Sequence, residues 1–317
     1  MRLSYLLTAT ALLVLSLLSV LVGAADFRLQ DVTADPDALR LLLTSRLPRT
    51  FAALLTGASM AVAGVIMQLL VRNRFVEPGT TGTTEAAMLG LLCVTLLAPG
   101  APILLKMIAS AMAALVGMAG FLLLLRRLPP AQPLLVPLVG LIYSGIIGAG
   151  ATFIAYQADL LQYLGVWMSG EFSGVLAGRY ELLWLAGALA LVAYVAADQF
   201  TIAGLGRATS VSLGLNHAQI VVLGLVTVSL VTALVVVTVG MVPFVGLVVP
   251  NIVARTMGDN LRASLPVVAG LGGGLVLAAD LFGRVIRYPY EVPAGTVFGV
   301  MGAAVFLWLL LGRPARA

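Results

Sequence analysis

One lysine, one histidine and one cysteine in 317 residues close off most of the chemistry open to a chain of this size. A nucleotide-hydrolysing P-loop needs G-x-x-x-x-G-K-[ST], yet the only lysine, Lys106, stands in Leu-Leu-Lys-Met-Ile. The chain is therefore not expected to hydrolyse ATP. Cys93 lies inside an apolar segment with no second cysteine, which excludes an internal disulfide and a metal site of the usual ligand count. We expect a small packing residue there. His217 offers no hydrolytic constellation, because no nucleophile pairs with it in the sequence. Charge is scarce as well, at 10% of residues, against 61% hydrophobic residues and a mean hydropathy of +1.10. No ordinary soluble domain has this composition, so the chain is read as an integral membrane protein. Its net charge of +5 does not point to nucleic acid, since the basic residues sit in short loops between apolar segments.

A bilayer core takes about 20 apolar residues per helix. Ten such stretches are present, near 4–24, 48–71, 84–98, 103–125, 134–157, 181–197, 218–239, 242–257, 265–283 and 293–312. All are expected to be helical, because a spanning backbone must satisfy its own hydrogen bonds and the alternation of a barrel is missing. The first stretch resembles a signal peptide, but its apolar part exceeds the usual h-region of about 7 to 15 residues. It is read as a retained span. Gly145, Gly148 and Gly150, and Gly270, Gly272, Gly273 and Gly274, give small-residue faces suited to close helix packing. The longest polar intervals, near 25–47, 158–180 and 198–217, leave no room for a soluble domain. The expectation is one transmembrane domain over residues 1–317.

An inside N-terminus and an even number of spans put both ends in the cytoplasm. The inner loops then hold Arg72, Arg74, Arg126, Arg127, Arg207, Arg255 and Arg262, with Arg313 and Arg316 at the end, as the positive-inside tendency requires. Against this, Arg28, Arg40, Arg46, Arg49, Lys106, Arg179, Arg284 and Arg287 fall on the outer side. Two explanations stand. These arginines anchor helix ends by snorkelling, with Pro48 at a first helical position. Alternatively, guanidinium groups in Arg46-Leu47-Pro48-Arg49 and near Arg284 bond carboxylates of a docking partner, a task that suits arginine better than lysine. The span centres read as uncharged, with Glu85, Lys106, Glu181, Arg255 and Asp280 near span ends, which disfavours an ion-driven carrier. The inner interval 198–217 is small, semi-polar and punctuated by glycine. It suits short helices under the membrane, turned at Gly214, that plug into a cytoplasmic partner.

Several short segments, in order and spacing, resemble permeases of the FecCD family, the membrane subunits of type II ABC importers for iron-siderophores, haem and vitamin B12. They are Arg46-Leu-Pro-Arg49, Arg72-Asn-Arg-Phe-Val-Glu-Pro-Gly79, Leu213-Gly-Leu-Asn216, Gly240-Met-Val-Pro-Phe-Val-Gly-Leu-Val-Val-Pro-Asn251, Asp280-Leu-Phe-Gly-Arg284 and Glu291-Val-Pro-Ala-Gly295. The resemblance implies an all-α membrane fold of ten transmembrane helices and a dimer of permeases. It also implies two cytoplasmic ATPase subunits, which bind the ATP and Mg, and an extracytoplasmic binding protein. Matching positions imply docking of that protein at Arg46, Arg49 and Arg284. They imply ATPase coupling at Arg207, Leu213, Gly214, Leu215 and Asn216, and an inner gate at Asn73, Phe75 and Pro130. Pro137-Leu-Val-Gly-Leu141, Thr152-Phe-Ile-Ala-Tyr156, Gly178-Arg-Tyr-Glu-Leu-Leu183 and Arg287-Tyr-Pro-Tyr-Glu291 are similar to permeases for ferric catecholate and mixed-ligand siderophores. Those systems commonly pair two different permeases, so a paralogous heterodimer is favoured over a homodimer in a bacterial inner membrane. Haem or vitamin B12 as cargo, and a secondary carrier needing no ATPase, are the alternatives. Arg74 and Asn251 depart from the family, where proline and histidine are common.

Overall fold

The computed structural model describes residues 2–23, 36–127, 135–258 and 260–311, and among them every regular element is helical. Pro130 lies outside the described residues. In chain order the helices are α1 (Arg2–Leu21), α2 (Pro36–Leu41), α3 (Leu47–Val71), α4 (Thr83–Leu97), α5 (Ile103–Leu125), α6 (Leu135–Gln157) and α7 (Leu161–Ser169). They continue with α8 (Leu182–Val195), α9 (Ala197–Gly204), α10 (Arg207–Ser212), α11 (His217–Val239), α12 (Val245–Met257), α13 (Leu261–Val285) and α14 (Ala294–Leu311). Among the described residues six helical stretches are long and apolar enough to cross a membrane, and α8 with α9, bent by 66°, makes a seventh candidate. The shorter apolar helices are α4, α12 and α14.

The polar interval expected at 25–47 is largely helical where it is described. From Pro36 the chain is helical through a π-turn at Leu42–Arg46 into α3, so Pro48 does not open a helix. The π-turn accommodates the proline. Pro48 has no N–H for the carbonyl of Thr44 four residues back, and that oxygen instead accepts the Ala177 N–H at 2.9 Å.

Helix α3 is the centre of the bundle, and at two of its crossings with α12 and α13 it meets them backbone on backbone. A Cβ on Gly57 would lie 2.2 Å from the Gly272 oxygen, and one on Gly64 would lie 2.0 Å from the Gly246 oxygen. Only hydrogen fits at these crossings. The expected glycine face of α13 is thus used, Gly272 and Gly273 on α3, Gly270 and Gly274 on α1. The α6 glycines behave differently: Gly145 and Gly150 face open space, and Gly148 meets only the Glu85 side chain. Much of α6 has no partner within the described chain, with Ile142, Ile146, Phe153 and Tyr156 exposed.

Two helices begin inside the bundle. At 1.5 Å per residue, 15-residue α4 and 13-residue α12 are about 22 and 20 Å long, short of a hydrocarbon core of about 30 Å. After α3 ends at Val71 the segment 72–82 turns back along the helix: Pro78 packs on Gly246, which itself abuts Gly64 in the second half of α3. Residues capping the two starts, Gly82 (φ +76°) and Phe244 (φ +64°), are both left-handed. Glu77 is consequently 3% exposed at the depth of the bundle. Glu77 belongs to none of the ten apolar stretches, and hydropathy along the chain does not register a non-helical return, so this buried carboxylate had no signal in the sequence.

Candidate functional site

Arg46, Arg49 and Arg284 are brought together at one end of the bundle by the start of α3 and the end of α13. Asp280, one turn before Arg284, stands between them and is 2% exposed. Arg49 donates from Nη2 to Asp280 Oδ1 at 2.7 Å and from Nε to Oδ2 at 3.2 Å, while its Nη1 reaches Glu291 Oε1 at 3.0 Å. Arg284 pairs with Asp280 through Nη2, and its Nη1 donates to the carbonyls of Ser19 (2.9 Å) and Val22 (3.0 Å). Arg46 also donates to the Val22 carbonyl. Ser19 Oγ meets Thr50 Oγ1 at 2.8 Å, so the end of α1 is tied into the same network.

This arrangement is more enclosed than a snorkelling or freely presented arginine pair. Arg46 and Arg284 are 6% and 4% exposed, and their donors point inward. Among the described residues, two carboxylates pair with this cluster: Asp280 with Arg49 and Arg284, and Glu291 with Arg49. Arg287, fully outside the network, lies over the Tyr290 ring at 5.9 Å among the exposed Tyr288 and Tyr290. Neither carboxylate was assigned a role from sequence, although Asp280 and Arg284 at i, i+4 on one helix was a legible signal.

The residues that the resemblance implies for ATPase coupling are at the opposite end. Two short helices, α9 and α10, are joined by Gly206 (φ +105°), and α10 leads through Gly214 (φ +80°) to Asn216, whose side chain caps α11 by accepting from the Gln219 N–H at 3.3 Å. Ser210 Oγ lies 2.7 Å from the Gly206 carbonyl, 3.1 Å from the Ile202 carbonyl and 3.3 Å from His217 Nδ1, which sets α10 against α9 and the start of α11. That leaves Arg207, Leu213, Gly214 and Asn216 exposed, with Leu213 at 60%. Leu215 is half-buried and, with Arg207 and Asn216, lines a groove of about 1050 Å³ against the end of α5. His217 thus has a structural role, as a neighbour of Ser210.

Asn73 and Phe75, which the resemblance implies as inner-gate residues, fall on the returning segment. Asn73 is buried and its Oδ1 accepts the Phe75 N–H at 2.8 Å. Phe75 is half-buried, edge-on to Phe306 of α14 with centroids 6.1 Å apart, and Phe306 in turn meets Phe244 at 6.4 Å. A cavity of about 380 Å³ lined by Gln68, Arg72, Asn73, Arg74, Thr201 and Ser264 opens beside this segment. Among the described residues no group of three metal-ligating side chains occurs.

The model of the FecCD transport family matches residues 11–312. The chain is 44% identical, over the whole of both proteins, to the petrobactin import system permease protein YclN of Bacillus subtilis. It is 40% identical to the ferric-anguibactin transport system permease protein FatD of Vibrio anguillarum, over 87% of this chain and 88% of that one. Among solved structures it is similar in fold to a metal-chelate type ABC transporter in an inward-facing conformation, with a TM-score of 0.81 at 20% identity over 98% of this chain and 99% of that one.

Proposed function

We propose, for a chain that belongs to the FecCD transport family, that it is the membrane-spanning subunit of an ATP-driven importer of ferric siderophores. The observation that carries this reading is end-to-end identity of 44% to a petrobactin permease. The chain is a transport permease and not an enzyme; ATP and Mg belong to a separate ATPase. Haem and vitamin B12 are less favoured as cargo.

In this reading the arginine cluster faces outward and both termini are cytoplasmic. All ten apolar stretches count as spans, α4, α12 and α14 being short ones and α8 with α9 a bent one. Docking of an extracytoplasmic binding protein uses the positive charge of Arg46, Arg49 and Arg284. Steering by such a charge acts mainly on the association rate and weakens with salt. Exposed Arg207, Leu213, Gly214 and Asn216 engage the ATPase, and Asn73 and Phe75 close the inner end of the pathway. The unpartnered glycine face of α6 supports pairing with a second permease, a paralogue by preference.

Reconstitution tests the whole. The chain with its partner permease, ATPase and binding protein should accumulate ferric siderophore in vesicles only when ATP is present. Uptake by the chain alone, without ATPase or ATP, would overturn the proposal in favour of a secondary carrier. Arg46→Glu should lower the binding-protein stimulation of ATP hydrolysis, with a loss that shrinks as salt rises; unchanged stimulation would leave these arginines a purely structural role.

A further inference from the structure

The returning segment is fastened to α12 at two points. At the upper one, Glu77 Oε1 accepts the Phe244 N–H at 2.9 Å, at the start of α12. At the lower one, Asn251 Nδ2 donates to the Arg74 carbonyl at 2.8 Å while also donating to Leu247 O at 2.7 Å within its own helix. Glu77 is itself held: its N–H donates to Thr80 Oγ1 at 3.0 Å, and its side chain accepts from the Thr80 N–H.

Arg74, bonded to Asn251, lies midway along α12, and Glu77, bonded to Phe244, lies at its start. Arg74 and Phe75 form a turn, with Asn73 Oδ1 accepting the Phe75 N–H, before the chain straightens. Glu77 is extended, with φ −142° and ψ 170°. The segment therefore runs antiparallel to α12 with both ends fastened, and Val76, 0% exposed, is enclosed between them. A slide of even one residue along α12 would break both bonds at once.

We propose that Glu77 and Asn251 are positioning residues of the inner gate: they key the segment 74–77 to α12, so that the gate moves only together with that helix. The proposal rests on reading Asn73 and Phe75 as the inner gate. It gives the polar Asn251 a task, and makes the position a place where the gate is adjusted rather than where cargo is touched.

Cysteine accessibility in the assembled transporter tests it. In a Cys93→Ser background, Val76→Cys should react slowly with a membrane-impermeant maleimide. Adding Asn251→Ala or Glu77→Ala should speed its labelling at least tenfold, while Leu277→Cys, 0% exposed in α13, stays protected and so reports that the bundle is folded. Glu77→Gln retains an acceptor oxygen and should label as slowly as the parent. Val76→Cys staying protected in both alanine variants overturns the proposal, and so does Leu277→Cys labelling in step with it. Should Glu77→Ala fail to assemble, Asn251→Ala decides alone, since its side chain is only half-buried. The gate reading fails separately: rapid Val76→Cys labelling with cargo moved per ATP unchanged keeps the fastening and removes the gate.

Discussion

Asp280→Asn is the substitution on which the arginine cluster should be judged. In the wild type the Asp280 carboxylate is almost wholly enclosed and accepts from both Arg49 and Arg284, the latter with 3% of its side chain exposed. Breaking a buried ion pair by removing one partner typically costs about 3–5 kcal/mol, because the remaining charge stays buried. Asparagine keeps the shape and one acceptor oxygen, so the lower end, about 3 kcal/mol, is expected. At about 1.4 kcal/mol per factor of ten that is roughly a hundredfold shift toward the unfolded state. The assay is reversible unfolding of the purified chain in mixed micelles, followed by tryptophan fluorescence. A second variant, Asp280→Asn with Arg284→Met, removes the stranded charge and should recover at least half of the loss. Docking gives a readout of the opposite sign, because the substitution removes one negative charge from the cluster and association with an acidic binding protein should hold or quicken. An Asp280→Asn chain within about 1 kcal/mol of wild type, or a double variant no better than the single, would refute the view that this cluster braces the fold.

Gly64→Val drives a branched side chain into the Gly246 carbonyl, which as backbone cannot swing aside; it should prevent stable folding, seen as loss of the monodisperse peak on size exclusion. Gly100→Ala, with nothing within 4 Å, should leave that peak unchanged. Gly214 also faces open space, so Gly214→Trp adds only the left-handed backbone penalty of about 1–2 kcal/mol, too little to unfold the chain. It should lower siderophore uptake per ATP hydrolysed in reconstituted vesicles at least fivefold, with binding-protein docking intact; normal coupling would remove Gly214 from the ATPase contact.

Helix positions were legible wherever apolar length alone decides them: each stretch named from sequence is helical over most of its described residues, the one at 181–197 as two helices bent by 66°. The grouping of Arg46 and Arg49 with Arg284, 235 positions later in sequence, came through resemblance, and the structure does place them in one cluster. Their enclosure was not legible, since the acceptors of Arg284 and Arg46 include main-chain carbonyls of Ser19 and Val22, and a carbonyl has no sequence signature. Glu77 was missed for a different reason. A hydropathy window places 72–82 at the membrane surface, and only the shortness of α4 and α12 hints that their first turns lie deeper. The π-turn before Pro48 escaped because a proline after polar residues reads as a helix start, whereas here Ala177 supplies the N–H that the proline's carbonyl partner lacks.

The glycine crossings where α3 meets α12 and α13 through bare backbone also set how the bundle yields under load. Interfaces built from leucine or methionine are compliant: a displaced helix is absorbed by side chains changing rotamer. Gly57 against Gly272 and Gly64 against Gly246 have no rotamers to change. A tilt imposed at either end of α3 must then reach its neighbours undiminished, which makes these crossings the stiff member of the bundle and leaves the open face of α6 as its soft one.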